Sequence, residues 1–353
     1  MSPAAPSADD HVVDADIEAS VPGPGGDSQG MGSRGVAGLI LRRLLAAVAV
    51  LWIVSVIVFL FVHAAPGGPE LAIAGTDATP EQLQRIREAY RLDDPLPAQY
   101  LTFLQSAVQF DFGTSFTQRE PVTTLIWRAA RDVTLPLVVI TWTLATVLGL
   151  SLGYRAARSR GGVADRVIVA GTTLGASTPV FVTSIVISYV FGVRLGWLPF
   201  LGIGDGGLDR LKHLVLPSVT ATVVLLAATT KHARVRMGHV LDEDQVIFAQ
   251  ARGLSSRYIL SRLVLRNSAV YLITASGALV IALMGGLVIV EQVYNLPGIG
   301  TMLIVAINQR DIPVVQGIAL YLAATVVVIN LVVDLACFAI DPRIRRGGRD
   351  GTG

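Results

Sequence analysis

Six stretches without aspartate, glutamate, lysine or arginine are read as spans: Leu44 to Val62 (19 residues), Val133 to Tyr154 (22), Val167 to Val193 (27), His213 to Thr230 (18), Asn267 to Val290 (24) and Ile312 to Val333 (22). A hydrocarbon core about 30 Å thick needs about 20 helical residues rising about 1.5 Å each, so each stretch can cross it. The pattern therefore predicts an all-α integral membrane protein with six transmembrane helices. With flanking residues the spans are placed at 38–62, 133–155, 167–193, 213–234, 267–291 and 312–340, the last five forming a core over 133–340. The fourth, the shortest, extends toward Lys231 and Arg234, whose stems can lie along apolar surface. The first follows Arg42 and Arg43 and outruns the apolar core of about 7 to 15 residues expected of a signal peptide, so it reads as an uncleaved anchor.

The polar segments between the spans differ in kind. Residues 1–33 carry Asp9, Asp10, Asp14, Asp16, Glu18 and Asp27 among Pro, Gly and Ser, and read as a disordered acidic tail. Residues 63–132 form a long segment with local order of its own. Thr79-Pro80-Glu81-Gln82 combines an N-cap threonine, proline at the first helical position and a glutamine placed for a capping box, with Leu83, Ile86 and Tyr90 at helical spacing behind it. Asp93-Asp94-Pro95-Leu96-Pro97 then predicts an extended turn before a semi-apolar stretch from Tyr100 to Phe110. Residues 341–353 are a short C-terminal tail.

Arginine sets the orientation. With the N-terminus cytoplasmic, 18 basic residues lie inside and 10 outside, and six of the outer ones (Arg85, Arg87, Arg91, Arg119, Arg128, Arg131) sit in the long 63–132 segment, where the positive-inside rule is weak. The comparison that counts is 18 against 4, which predicts that both termini lie in the cytoplasm of a protein with several passes through the lipid bilayer.

Composition narrows the function. Charged residues make up 15% of the chain and hydrophobic ones 52%, with a mean hydropathy of +0.60, where a soluble domain carries about 25% charge. A net charge of +2, without a Lys/Arg block interleaved with aromatics, argues against a nucleic-acid partner. Cys337 is the one cysteine and reads as a small buried hydrophobe. The lysines are Lys212 and Lys231, neither after a glycine, so no Gly-Lys-Ser/Thr phosphate loop can be written and the chain has no Walker-type ATPase of its own. His11, His63, His213, His232 and His239 form no zinc-protease pattern, and Gly-x-Ser-x-Gly is absent. No catalytic residue and no metal site is assigned.

The inner loop between the fourth and fifth spans, Lys231 to Arg266, is 36 residues long and patterned. Asp242, Glu243 and Asp244 favour a helix start, Val246, Ala249 and Gly253 fall on one face, and Gly253 ends the helix. Ser255 caps a second short helix, with Ile259, Leu260, Leu263 and Val264 toward the bundle and Arg257, Arg262 and Arg266 toward the cytoplasm. Such a helix across the mouth of a bundle is either a handle for a soluble partner or a helix resting on headgroups; patterning leaves both open.

Phe248-Ala249-Gln250-Ala251-Arg252-Gly253-Leu254, followed by Leu265-Arg266-Asn267, resembles the coupling-loop motif of permeases from binding-protein-dependent ABC importers, in the dipeptide/oligopeptide (Dpp/Opp) B-type subunit family. Further motifs match in the family's order: Ala64-Ala65-Pro66-Gly67, Thr79-Pro80-Glu81-Gln82, Leu92-Asp93 with Pro95-Leu96-Pro97 and Gln99-Tyr100, Arg194-Leu195-Gly196-Trp197-Leu198-Pro199, His213-Leu214-Val215-Leu216-Pro217, Glu291 through Gly300, and Asp334 with Asp341-Pro342-Arg343. They cover about Leu39 to Arg346. Two positions depart: the broader Glu-Ala-Ala start has Ile247 in place of the glutamate, and the outer Pro-Gly-Asp-Pro is Pro66-Gly67-Gly68-Pro69.

The resemblance implies a type I importer permease fold, forming half of a path for di- or oligopeptides or related small solutes. It implies a second homologous permease as a heterodimer partner, two cytoplasmic ABC ATPase subunits that use ATP, and an external solute-binding protein, with no cofactor bound by this chain. Asp242, Glu243, Gln245, Val246, Phe248, Ala249, Ala251, Gly253 and Leu254 are then candidates for coupling to the ATPase.

Glu291, beside Tyr294, Asn295, Pro297 and Gly298, is either an interfacial anchor or an outer gate or binding-protein contact. Asp334, with Asn330 one turn before it, is expected in an interhelical polar pair or on the substrate path. Thr172, Thr173, Ser177, Thr178, Thr183, Ser184 and Ser188 either pack or line a path, and Gly277, Gly285 and Gly286 are expected to let helices approach. A secondary transporter or an intramembrane enzyme are the readings from other classes. They are weakened by the lack of an inverted repeat and by the placing of His213 at an outer span end.

Overall fold

A computed structural model describes residues 33–63, 70–71, 78–89 and 92–340. The acidic tail expected over 1–33, apart from Ser33, lies outside them, as do the Ala64 to Pro69 motifs, Tyr90 and the tail at 341–353. Among the described residues the chain is helical, with one isolated bridge between Thr114 and Pro121.

Five helices are long and apolar enough to span: α1 (Ser33–His63, apolar from Leu41), α4 (Val122–Arg158), α7 (Gly207–Leu241), α9 (Ser256–Val293) and α11 (Ile312–Ile340). The sixth expected span is not one straight helix. The stretch expected as one span over 167–193 is instead α5 (Val163–Ser177) and α6 (Val180–Arg194), bent by 99°. The cause is local: a residue before proline is pushed out of the helical region, and Thr178, before Pro179, has φ −81° and ψ 127°. Pro217, by contrast, sits inside α7 without interrupting it.

Between α1 and α4 lie α2 (Pro80–Ala89) and α3 (Leu96–Val108). Thr79 and Gln82 make the reciprocal capping bonds, Thr79 N to Gln82 Oε1 at 2.9 Å and Gln82 N to Thr79 Oγ1 at 3.3 Å. The second segment lies against α1: Tyr100 Oη is 2.8 Å from Ser55 Oγ, His63 Nε2 is 2.9 Å from Gln99 Oε1, and Phe59 packs on Tyr100 and Phe103.

The core is built on α4 and α7. Ala145, Gly149, Gly153 and Ala157 recur every fourth residue of α4 and are buried, so the two backbones approach closely. A methyl group on Gly149 would lie 2.5 Å from Thr229 Cγ2, and one on Gly153 would overlap Ala233. Gly277 of α9 serves α11 in the same way, where a methyl would meet Val333, but Gly285 and Gly286 face open space, with no other helix packed on them among the described residues.

The loop expected to hold two short helices holds one. After α7 ends at Leu241, α8 (Asp244–Ala251) stands alone, whereas the second is the first part of α9, continuous with the span through a π segment at Ile259–Val264. Ser255 does cap that start, its hydroxyl accepting from Tyr258 N at 3.3 Å. Opposite it, α10 (Ile299–Asn308) lies between α9 and α11.

Replacing Gly153 by leucine is expected to cost about 1–3 kcal/mol by overpacking the α4/α7 seam, read as a lower melting temperature of the purified protein in detergent. Gly171→Ala, on an open helix surface, should be neutral or stabilising.

Candidate functional site

At the arginine-rich end of the bundle, α8 is fixed on one side and open on the other. Val246 and Ala249 are buried against Ala157, Ala233, Met237, Val240, Ile259 and Val264, which come from the ends of α4, α7 and α9. The remaining candidates point away: Phe248 is 69% exposed, and Ile247, Ala251 and Leu254 are exposed beside Gln245 and Asp244. This corrects the face read from spacing, because Val246 and Ala249 serve the bundle and are not free for a partner to grip. Glu243 takes the N-cap position and its carboxylate accepts from Gln245 Nε2.

Gly253 ends α8 as the spacing predicted. Its φ of +72° places it in the left-handed region, with Gly253 N bonded to Gln250 O at 2.9 Å and Leu254 N to Ala249 O at 3.1 Å. That reversal turns the chain back toward Ser255 and leaves Leu254 exposed next to Phe248 in sequence register.

Two ion pairs join this region to the short turn between α4 and α5. Arg160 NH1 donates to Asp242 Oδ2 at 2.7 Å, and Arg234 of α7 holds Asp165 of α5 through Nε to Oδ1 at 2.6 Å and NH2 to Oδ2 at 2.7 Å. Asp242, the C-cap of α7, is thus paired with Arg160 while its side chain remains exposed. Asp165 and Arg234 escaped the sequence reading because they are 69 positions apart, and only the α5/α7 contact brings them together.

At the opposite end, Glu291 is fully buried, so it is neither an exposed anchor nor, in this conformation, a surface contact. Its Oε1 accepts from Thr134 Oγ1 at 2.8 Å, and its Oε2 from the amides of Gly300 at 2.8 Å and Thr301 at 3.1 Å. Thr134 Oγ1 in turn accepts from Ile299 N at 2.9 Å. A carboxylate therefore sits at the N-terminus of α10, where free amides and the helix dipole favour it. A side chain on Gly298 or Gly300 would overlap that carboxylate. Tyr294 is also buried, its hydroxyl 2.7 Å from Thr220 Oγ1 and donating to Ser184 O at 3.4 Å, so that α9 is tied to α7 and α6. Asn295 and Pro297 are the exposed members of the group.

A second buried carboxylate, Asp311, carries no sequence signal beyond its position before α11. It accepts from Ser115 Oγ at 2.5 Å, Thr117 Oγ1 at 2.7 Å, Thr117 N at 3.2 Å and Phe116 N at 3.2 Å, pinning the segment before α4. Burial pushes its carboxyl up, but these donors outweigh burial and hold it below the ordinary aspartate value.

Asp334 finds its partner on another helix. It forms an ion pair with Arg43 of α1, not a contact with Asn330. The third-span hydroxyls bond largely to their own helix: Thr172 to Ile168 O at 2.8 Å, Thr178 to Leu174 O at 3.1 Å and Ser184 to Val180 O at 2.8 Å. A crevice of about 740 Å³ between α4, α7, α9 and α11 is lined by Val138, Trp142, Ile273, Gly277 and Val333 among others. Its walls are almost wholly apolar and suit an acyl chain or a helix better than a peptide backbone.

Residues 145–346 match the family described as binding-protein-dependent transport system inner membrane component, and residues 36–138 match the N-terminal region of such membrane components. The probable peptide ABC transporter permease protein y4tP of Sinorhizobium fredii (strain NBRC 101917 / NGR234) is 37% identical over 309 residues, covering 87% of this chain and 98% of that protein. The glutathione transport system permease protein GsiC of Escherichia coli (strain K12) is 37% identical over 307 residues, with the same coverage of 87% and 98%. Among solved structures, an inward-facing MetNI methionine ABC transporter chain is similar in fold, with a TM-score of 0.53 at 18% identity over 63% of this chain and 99% of that one.

Two outcomes follow from the buried carboxylates. Because Asp311 titrates below its unfolded value, its stabilisation is complete above about pH 4 and is lost as pH falls through the lowered folded value. Asp311→Asn should therefore melt lower at pH 7 yet lose less stability than the parent on acidification below about pH 4; identical acid limbs would remove Asp311 from this account. Glu291→Ala strips the acceptor from two amides and a hydroxyl and should cost about 1–3 kcal/mol, more than Glu291→Gln, in thermal melts of the same preparation.

Proposed function

The chain belongs to the binding-protein-dependent transport system inner membrane component family and is a permease subunit of an ABC importer, and from that premise we infer that α8 is where an ATPase subunit delivers work to it. The carrying observation is the division of α8 into two faces. Val246 and Ala249 lock it to the ends of three spans, while Ile247, Phe248 and Leu254 present apolar surface on a loop that is otherwise strongly charged. An apolar patch rimmed by charge marks a protein contact rather than a solvated face.

Force on that patch reaches the bundle directly. Packed interfaces shift as rigid pieces rather than deforming smoothly, so a displaced α8 carries the ends of α4, α7 and α9 with it. ATP is used by the partner subunits, and this chain acts as a transport subunit that binds no cofactor. We read it as one half of the path, paired with a second similar permease, worked by two ATPase subunits and supplied by an external solute-binding protein. The basic residues at the α8 end support a cytoplasmic placing of that end, with both termini there and the membrane a bacterial inner membrane. The names of the relatives, peptide and glutathione permeases, support di- or oligopeptides or related small solutes as cargo.

Full-length protein expressed with its native partners should co-purify with a separate ATPase that carries a phosphate loop. Phe248→Asp should reduce that recovery by about tenfold, equivalent to about 1.4 kcal/mol, while leaving the permease in the membrane; recovery equal to the parent would sink the assignment of this face. Ala249→Trp should act differently, lowering the stability of the permease itself, because Ala249 faces inward.

A further inference from the structure

We propose that the Asp165–Arg234 pair is a positioning clamp that ties α5, the inner segment of the bent pair, to the last turns of α7, which lead into α8, so that motion of α8 carried by α7 swings α5 about the Thr178–Pro179 break. The inference rests on α8 being the point where work enters.

Four observations converge on it. Asp165 is 4% exposed and is the one buried residue of α5, whose Val167, Val169 and Leu174 side chains are exposed. The inner end of α5 is therefore fixed by charge rather than by apolar packing within this chain. Both carboxylate oxygens are engaged, each by a different nitrogen of Arg234, and Oδ2 also accepts from Gly161 N at 3.0 Å. A planar fork on a planar carboxylate fixes orientation as well as distance, so the pair behaves as a rigid joint and not as a loose attraction.

The second staple lies one turn of chain away. Arg160, in the tight α4–α5 turn, reaches Asp242 between α7 and α8, and its guanidinium lies over Gly238, where any side chain would overlap it. The turn is thus held to the junction by Arg160, and the start of α5 is held to α7 about two turns before its end by Arg234. At its far end α5 meets a 99° break, where Thr178 is extended and Pro179 donates no amide bond. A rod clamped at one end and jointed at the other converts a small displacement at the clamp into a swing. The bidentate pair adds a fixed orientation to that joint.

The test uses the complete importer in lipid nanodiscs, with Cys337→Ser as background. Spin labels are placed at Val169→Cys on α5 and Leu335→Cys on α11 in one sample, and at Gln250→Cys on α8 and Leu335→Cys in another. Pulsed electron resonance distances are compared without nucleotide and with Mg²⁺-ATP and vanadate. In the parent, both distances should change by about 1–5 Å. In Asp165→Asn the α8 distance should still respond while the α5 distance no longer does, and the exchanged pair Asp165→Arg with Arg234→Asp should restore the α5 response. Arg234→Lys, which keeps the charge but loses the fork, should behave like Asp165→Asn and guards against a folding defect in the latter. An α5 response in Asp165→Asn and Arg234→Lys equal to the parent overturns the clamp and leaves the α8 reading intact. No response of α8 in the parent overturns the α8 reading itself, and the clamp with it.

Discussion

Inside hydrocarbon a carboxylate or a free amide has no water to bond, and must find its partner in the chain or not be there. That constraint organises this structure more than hydrophobicity does, since apolar helices gain little from one another when lipid is as apolar as they are. The spans meet at small residues along Ala145, Gly149, Gly153 and Ala157, and are then fixed by a few polar joints. Glu291 joins α9 to the amides of α10 and to Thr134, Tyr294 joins α9 to α7, and Asp165 joins α5 to α7. Each joint lies where a helix ends or breaks, because that is where the backbone has unpaired groups to offer.

Much of the fold was legible because spans are long and their signal is additive. Uncharged runs located the membrane helices, and local chemistry at Thr79, Gln82, Gly253 and Ser255 fixed helix ends with bonds that the structure contains. The break at Thr178–Pro179 was also written in the sequence, since a residue before proline resists the helix, but a long apolar run concealed it. What could not be read was partnership. Glu291 looked like a span-end anchor because its acceptors' donors, Thr134 and the amides after Gly298, are contributed by other elements. For Asp334 an interhelical polar pair was expected and is found, but the sequence did not say that its partner would be Arg43 of α1.

The α8 region shows the same limit within eight residues. Periodicity correctly put Val246 and Ala249 on a common face, and nothing in periodicity says whether a face looks inward or outward. The bundle took the face of Val246 and Ala249, where the ends of three helices converge. The larger Ile247 and Phe248 were left outside as a result. Packing on the inner side therefore dictates what is displayed on the outer side, so one substitution on α8 acts on folding and its neighbour on assembly.

The Arg43–Asp334 pair has a bearing on how the protein is made. The arginine belongs to the first and the aspartate to the last of the spans among the described residues. Throughout synthesis Arg43 must keep its charge among headgroups, which its place near the end of α1 and its long stem allow. Only when some 290 further residues, counted from 43 to 334, have been inserted does its counter-ion arrive. The bond is in effect a latch that cannot shut on an unfinished chain. A chain stopped short of Asp334 leaves Arg43 without this counter-ion.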